Sequence, residues 1–479
     1  MHGDSFTKSK RGEFRGDFSR DTFDPQRHFS RVLMQQGRVQ LDADWNEQTS
    51  ILVHGLRSLG VGLMGPHAAP NAADGSLGRG FRIAPSDDGA DFAVEPGPYY
   101  VDGILCDNDD ESLTFRTQQH LPSAAAEADA WADNDGDYLV YLDVWERHVS
   151  YVEDDYIREK ALAGPDTASR AQVVWQVKVL HEDEMPDGSL SSTLKADYDA
   201  FLAALAAAGV VRPGTGLLRA RARQTEEDSD EPCLTSPEAQ YRGAENQLYR
   251  VEIHSAGTGT SDTDAGVPGP TFKWSRENGS VVFPIVESQG DSLILEHLGR
   301  DCRFGLQPGD WVEMADDDYI LGNRAEPLLQ VESVDPELRK VTFKEGVAMP
   351  AAINADKHPY LRRWDQRDGD ASGITVVEGN DDRNWIRLED GVEIQFPAPP
   401  DNAPDHRYQT GDYWLIPART STRDVEWPGP AGDPAALPPQ GVDHHYAPLR
   451  LINVDSNGVV SPVGGAGGDL RRRVMKIWK

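Results

Sequence analysis

The sequence predicts a mainly β chain, with two or three small β-sandwich or barrel domains behind an N-terminal arm and helix. Three observations support this fold class. Short runs of alternating apolar and polar residues recur along the 479 residues, as in strands with one buried face. Turn-forming pairs such as Asp102-Gly103 and Asn278-Gly279 separate these runs. Only two segments, one beginning near Asp42 and one near residue 196, have a convincing helical pattern.

Residues 1–60 are predicted to form the arm and the first helix, which Asp42 or Asp44 would cap and which would end near Gly60. Because this segment has no core of its own, we expect it to dock onto a neighbouring subunit and to carry the main attachment of the chain. The alternative is that it folds back on its own β domain. The candidate interface residues combine charge with large apolar side chains, and they are Arg15, Asp17, Phe18, Arg20, Phe23, Phe29, Trp45, Leu52 and Leu56.

Residues 61–230 are predicted to form the first β domain, with one inserted helix. Residues 138–152 alternate with period two over a long strand, and residues 171–180 repeat the pattern. The Ala- and Leu-rich residues 196–208 predict the inserted helix. The acidic residues 226–231 predict a linker to the next domain.

Residues 231–350 are predicted to form a second β domain. Residues 271–286 predict a hairpin with Asn278-Gly279 as a type I′ turn at its tip. The short strands and turns of residues 303–346 predict a small barrel. Residues 351–479 are predicted to form a C-terminal β section with a Pro-rich surface loop at 428–440.

The charge balance limits the possible partners. There are 80 acidic and 47 basic residues, which gives a formal net charge of −33. Without a basic patch to neutralise phosphates, nucleic acid is not an expected partner, and neither is direct membrane insertion. The basic residues are 11 Lys and 36 Arg. An acidic surface with little Lys is typical of a halophilic protein, although a GC-rich genome also favours Arg over Lys.

The cysteine spacing and the N-terminal residues bear on the cell compartment in which the chain is expected to be made. Cys106, Cys233 and Cys302 are odd in number and widely spaced, which is typical of neither a disulfide framework nor a zinc site. The first residues have no apolar stretch of the kind found in signal peptides, so we expect synthesis in the cytoplasm. Export would then occur as part of a particle that is released or acts outside the cell.

The sequence has no phosphate-binding loop, no dinucleotide-binding glycine motif, no nucleophile elbow and no zinc-protease motif. We therefore expect no catalytic residues, no metal and no cofactor. Three weaker alternatives are a calcium loop at residues 133–137, a paired-carboxylate glycosidase site that joins residues 153–155 to Asp143 or Glu146, and a metal held by His444 and His445. The two adjacent histidines should point to opposite faces of a strand, which disfavours chelation.

Several long segments resemble one family. They are GDFSRDTFDPQRHFSRVLMQQGRVQLDADWNEQ, YLVYLDVWERHVSYVEDDYIREKALAGPDTASRAQVVWQVKV, NQLYRVEIHSAG, TFKWSRENGSVV, LRRWD and TGDYWLIPARTSTRDVEWP. Together they are similar to an uncharacterised domain family encoded in bacterial and archaeal loci for phage-tail-like, extracellular contractile injection systems. The N-terminus is also similar in style to tailed-phage baseplate and fibre proteins.

This resemblance implies a structural subunit at the baseplate or fibre attachment of such a particle. Its partners would be other particle subunits, namely baseplate, sheath, tube or fibre proteins, and it would be oligomeric in the assembly. It implies no catalytic residue. A polysaccharide-active hydrolase or lyase, or a free glycan-binding module, remains the alternative.

Overall fold

The computed structural model describes residues 13–72, 76–86, 89–123, 135–186, 190–222, 240–259, 269–301, 303–344, 353–430 and 432–474. It is mainly β, with 36% strand and 16% helix, as predicted. Several sequence predictions lie outside the described residues, namely Asp133 and Asn134 of the calcium alternative, the acidic linker at 226–231, Cys233 and Cys302.

The described residues contain three α-helices, which are α1 (Asp42–Met64), α2 (Tyr198–Ala207) and α3 (Asp317–Leu321). The strands of the first half are β1 (His67–Ala68), β2 (Ile83–Pro85), β3 (Phe92–Val94), β4 (Gly97–Val101), β5 (Ile104–Asn108), β6 (Gly136–Val149), β7 (Arg170–His181), β8 (Arg219–Ala222), β9 (Gln247–Ser255), β10 (Gly257–Thr258), β11 (Thr271–Ser275), β12 (Val282–Gln289) and β13 (Ser292–Leu295). Those of the second half are β14 (Trp311–Ala315), β15 (Leu329–Asp335), β16 (Lys340–Phe343), β17 (Tyr360–Trp364), β18 (Ile374–Thr375), β19 (Ile386–Arg387), β20 (Val392–Gln395), β21 (Arg407–Tyr408), β22 (Tyr413–Arg419), β23 (Asp424–Val425), β24 (His445–Val454) and β25 (Val460–Pro462).

The largest pairing in the molecule joins β6 to β7, from Tyr138↔His181 to Val149↔Arg170, within the four-stranded sheet β25-β24-β6-β7. Both faces of this sheet are covered. Val140, Leu142 and Val144 pack against the hairpins of residues 83–106, whereas Leu139 and Tyr141 pack under α2. The long alternating strand predicted from the sequence is therefore present, with both of its faces buried.

The order of the sheets in space differs from the linear division of the chain. Strand β24 pairs with β6, so residues near 450 complete the sheet that begins near residue 136. Strand β8 likewise pairs with β20, far along the chain. The expected C-terminal section from residue 351 onward is thus divided among several sheets. They are the first sheet, a central five-stranded sheet (β18-β11-β9-β22-β23), the sheet β19-β20-β8, the pair β10-β21 and a closed barrel that includes β17.

The predicted small barrel is present and larger than expected. Six strands close it in the order β12-β13-β16-β15-β14-β17, over Val282–Trp364 instead of 303–346. Leu293, Val312 and Leu361 fill its interior.

The predicted hairpin at 271–286 is wrong in its pairing and right in its turn. Asn278 and Gly279 have φ of +54° and +68°, as a type I′ turn requires. However, β11 pairs with β9 and β18 in the central sheet, whereas β12 pairs with β13 and β17 in the barrel. The turn therefore sends the chain from one sheet into another.

Helix α1 runs four residues beyond the predicted end at Gly60. Asp44 accepts a hydrogen bond from the Leu41 amide at 3.2 Å at the helix start. The tip of the β4–β5 hairpin supports the helix at Gly103, where a Cβ atom would lie 2.4 Å from the Arg57 carbonyl oxygen. Gly103 also has φ of +75°, so this position requires glycine for two independent reasons. Among the described residues, no helix combines the length and apolar character needed to cross a bilayer.

Candidate assembly interface

The first described residues of the arm are built into the body of the chain. Glu13 makes a parallel backbone bridge with Arg147 at the end of β6. The side-chain amide Nδ2 of Asn278 donates to the carbonyl oxygens of Phe14 and Gly16 at 3.1 and 2.9 Å. The arm therefore lies where the first sheet, the central sheet and the barrel meet.

A cluster of six buried charged side chains occupies this meeting point. We call it the junction cluster, and its members are Arg15, Arg250, Glu252, Lys273, Glu313 and Arg362, all of them less than 10% exposed. Two pairs face each other across neighbouring strands, Lys273↔Glu252 in the central sheet and Glu313↔Arg362 in the barrel. Lys273 Nζ contacts Glu313 and lies 3.4 Å from Glu252 Oε1, so it joins the two sheets.

Glu252 is the centre of the junction cluster. Arg15 Nη2 lies 3.0 Å from both of its carboxylate oxygens, and Arg250 Nε donates to Oε2 at 2.6 Å. Burial by itself raises the pKa of Glu252, but the charges of Arg15, Arg250 and Lys273 outweigh it and hold the pKa well below its usual range. Arg15 therefore closes an ion-pair network of the body and is not available to a partner.

On the barrel side of the junction cluster, neighbouring cations likewise stabilise the ionised form of Glu313. Burial opposes its ionisation, yet Lys273 and Arg362 lower its pKa to about 2. Tyr319 of α3 donates a hydrogen bond to Glu313 Oε1 at 2.5 Å. Arg362 also donates to the Tyr360 hydroxyl at 2.8 Å and to the Gly279 carbonyl at 3.1 Å. Both carboxylates are thus ionised and fully engaged in holding the sheets together.

The pKa of Glu277, next to the Asn278-Gly279 turn, is shifted in the opposite direction from those of Glu252 and Glu313. Burial, and after it the charge of Asp365, raises its pKa to about 7, although Arg363 lies 3.4 Å away. Because the pKa of Glu277 is raised in the folded state, its neutral carboxyl group contributes to stability. This contribution is fully present below the unfolded pKa of about 4.5 and is lost as the pH rises through 7.

We therefore expect the difference in melting temperature between Glu277→Gln and wild type to be more favourable to the variant at pH 8 than at pH 5. The reason is that the neutral amide avoids the cost of ionisation. Thermal melts at the two pH values check this. Glu287→Gln, on an exposed carboxylate of β12, is the control and should show no such change. An equal difference at both pH values for Glu277→Gln would contradict the assignment.

The structure corrects part of the predicted interface. Arg15 and Phe23 are each only 8% exposed. Phe23 packs against the His54 ring of α1 at a centroid distance of 5.7 Å. Arg20 is half-buried and pairs with Glu426 at 3.2 Å. Arg15, Arg20 and Phe23 therefore follow the fold-back alternative, since their side chains are used within the chain.

Of the other predicted arm residues, Asp17 is exposed and the ring of Phe18 packs over Gly16. Phe29, Trp45, Leu52 and Leu56 differ from Arg15 and Phe23, because each is 55–69% exposed. They have the accessibility that an assembly interface needs.

The exposed apolar side chains are concentrated in this one part of the chain. Of the 17 exposed large apolar side chains in the described residues, 10 lie between residues 29 and 63. We call this set the apolar face, and its members are Phe29, Leu33, Met34, Val39, Leu41, Trp45, Leu52, Leu56, Leu59 and Leu63. Such a concentration of exposed apolar side chains is typical of a protein–protein contact.

The polar side of α1 holds the helix in place. Arg57 pairs with Glu146 of β6 at 2.9 Å, and Gln48 accepts from the Val32 amide at 2.8 Å. Asp42 accepts from the Ser19 amide at 2.8 Å. The helix therefore presents its more apolar side outward, which reverses the usual amphipathic arrangement.

The carboxylates considered for a glycosidase site have structural partners. Asp143 pairs with Lys178 and with His444, each at 2.6 Å. Burial raises the pKa of Asp143, but its contacts with His444 and Lys178 outweigh burial and lower the pKa to about 2. Glu146 pairs with Arg57, and Glu153 accepts from the Ser150 amide and hydroxyl at 2.8 Å. Each of these carboxylates is thus engaged in a contact within the chain.

The two adjacent histidines bind different carboxylates. His444 contacts Asp143, and His445 contacts Asp102 at 2.8 Å on the other side of the strand. They diverge as the period-two geometry predicts. Among the described residues, no group of three or more His, Cys, Asp or Glu side chains is arranged to hold a metal.

Sequence reasoning missed two groups of residues. Arg250, Glu252 and Lys273 alternate with apolar residues in their strands, and this pattern ordinarily indicates a solvent-exposed face. Thr49 and Leu63 continue the stripe of Trp45, Leu52, Leu56 and Leu59, and their regular spacing could have revealed them.

Comparison with known proteins places the chain in a family. A family model described as a family of unknown function, DUF6519, matches residues 14–213 and 202–462. The chain belongs to the DUF6519 family. The DUF6519 match includes Arg15, helix α1 and all the strands of the junction cluster. No curated protein and no solved structure matches the chain.

Proposed function

We propose that this chain is a non-enzymatic structural subunit of a contractile injection system or phage-tail-like particle, located at the baseplate or fibre attachment. The observation that carries the proposal is the apolar face of residues 29–63, which is exposed and lies partly on the arm and partly on helix α1, which is anchored to the body of the chain. Burying one large apolar side chain contributes about 1.5–3 kcal/mol, so ten such side chains provide a strong contact.

The architecture of the body also supports a structural role. The junction cluster joins the central sheet to the barrel, and the arm, which also bridges to the first sheet at Arg147, passes between them before it leads into α1. A displacement of α1 would therefore strain the arm and the β4–β5 hairpin tip. A subunit that must transmit force between neighbours needs this kind of rigid connection between its contact surface and its core.

Mass spectrometry of purified particles tests the proposal. We expect the chain to be present at a fixed ratio to the sheath and tube proteins. The proposal is wrong if the chain is absent from intact particles, or if it turns over cell-wall or capsular glycans and one carboxylate substitution abolishes that turnover. A free glycan-binding module would instead bind the glycan without particles.

A further inference from the structure

Five members of the apolar face, together with Thr49, form a regular repeat along α1. Its helical positions are spaced by four, three, four, three and four residues, and they are Trp45, Thr49, Leu52, Leu56, Leu59 and Leu63. We call these six positions the seam. Every seam residue is exposed, and the seam extends over about 27 Å of helix at 1.5 Å per residue. This is the heptad spacing by which one helix packs against another in a coiled coil.

The contacts of α1 with the body leave the seam facing outward. Ala43 and Ile51 are the buried residues of the helix, and they lie on the side opposite the seam. Arg57, which pairs with Glu146, and His54, which packs against Phe23, are also on the inner side. The orientation of the seam is therefore set by the chain itself before any partner binds.

The residues that flank the seam favour an identical helix as the partner. In coiled coils, charged side chains beside the seam select the partner and exclude others. Here the flanking positions carry no charge, and they are Asn46, Gln48, Val53, Gly55, Gly60 and Gly62. Nothing at these positions repels a second copy, although each chain has a net charge of −33. A Cβ atom at Gly55 or Gly62 would have nothing within 4 Å, so another backbone has room to approach there.

The described part of the chain offers no partner of its own for the seam. Helices α2 and α3 have 10 and 5 residues, and α2 is packed under the first sheet. A second copy supplies a helix with the same repeat and the same length. Because a stripe of this period is complementary to itself, two copies related by a symmetry axis bury both seams at once.

We infer that the seam of α1 packs against the seam of a second copy of this chain, so that the protein self-associates through a coiled coil. This deepens the proposed function, since it names the occupant of part of the apolar face. Phe29, Leu33 and Met34 precede the helix and are also exposed.

Analytical ultracentrifugation of the full chain tests the inference. We expect the wild type to have at least twice the monomer mass of 52.7 kDa. Raising the salt from ~0.1 M to ~1 M shortens the Debye length from about 10 Å to about 3 Å, so association should strengthen as repulsion between copies is screened. The variant Leu52→Glu/Leu59→Glu places charge in the seam and should weaken association at least ~100-fold.

The matched control is Leu162→Glu/Leu338→Glu, which makes the same substitutions at two exposed leucines outside the apolar face. It should associate like wild type. Circular dichroism should show that both variants fold, since all four side chains are exposed. A monomeric wild type, or a seam variant that associates as tightly as the control, would overturn the inference.

Particle composition separates this inference from the proposed function. If the wild type is monomeric but the seam variant is lost from particles, the seam binds a different subunit and only the self-association is wrong. If the wild type associates through the seam but is absent from particles, self-association stands and the proposed function is wrong.

Discussion

Glu252→Gln is expected to lower the free energy of unfolding by about 3–5 kcal/mol, as is usual when one partner of a buried ion pair is removed. Wild-type Glu252 contacts Arg15, Arg250 and Lys273 at 2.6–3.4 Å. After the substitution, Glu313 would be the only acidic member left among four cations of the junction cluster. The remaining cations would then repel one another in a site shielded from water.

Urea unfolding of wild type and variant measures this effect. The control is Glu426→Gln, which removes a carboxylate that is 40% exposed and pairs with Arg20 and Arg419. It should cost less than about 1 kcal/mol, because exposed ion pairs contribute little. If the two variants lose equal stability, the junction cluster does not stabilise the fold in the way described.

The same cluster predicts the acid behaviour of the protein. The folded-state pKa values of Glu252 and Glu313 are depressed, so their stabilisation is present above the unfolded pKa of about 4.5 and is lost as the pH falls toward 2. Glu252→Gln should therefore lose less stability than wild type over this pH range.

Arg471→Ala should have the second-largest effect, a loss of about 3 kcal/mol or more, because it removes the donors to the buried Gly80 carbonyl and to several partly buried acceptors. Arg471 is 2% exposed. Its Nη1 donates to the carbonyl oxygens of Gly78, Arg79 and Gly80 at 2.8–3.2 Å. Its Nε and Nη2 donate to the two carboxylate oxygens of Asp469 at 3.0 and 2.8 Å. This side chain thus ties the C-terminal segment to residues 78–80.

Thermal and urea unfolding of Arg471→Ala and of two further variants tests this prediction. Arg471→Lys keeps the charge but not the planar set of donors, so its stability should lie between those of Arg471→Ala and wild type. Arg473→Ala, at an exposed neighbouring position, should change stability by less than about 0.5 kcal/mol. An Arg471→Ala variant as stable as Arg473→Ala would show that the segment is held by other contacts.

Local features of this protein were predictable because they depend on neighbouring residues. The alternation at 138–152 located β6, and the Ala-rich run located α2 behind its Asp197 cap. The pairs Asp102-Gly103 and Asn278-Gly279 adopt the positive φ values that their residue types favour. The strand and turn spacing of residues 303–346 likewise indicated a barrel, although not its full extent.

The candidate site was predictable only in part. Arg15 and Glu252 are 237 residues apart, and the alternation of charged and apolar residues shows which residues share a face without showing what covers that face. The stripe of α1 was visible as apolar spacing, but an apolar stripe ordinarily indicates the side that packs on the core. Here the body binds the other side.

The sequence by itself thus determined the long strands, the tight turns, the two longer helices and the acidic composition, since each follows from backbone preferences and side-chain chemistry over a few residues, whereas the short helix α3 was not predicted. Only the tertiary structure decided that β11 and β12 enter different sheets, that β24 returns to β6, that the charged strand faces are buried against each other and that α1 turns its leucines outward. These outcomes depend on which distant surfaces meet. Ion pairs and packing across those contacts select among arrangements that the local pattern permits equally.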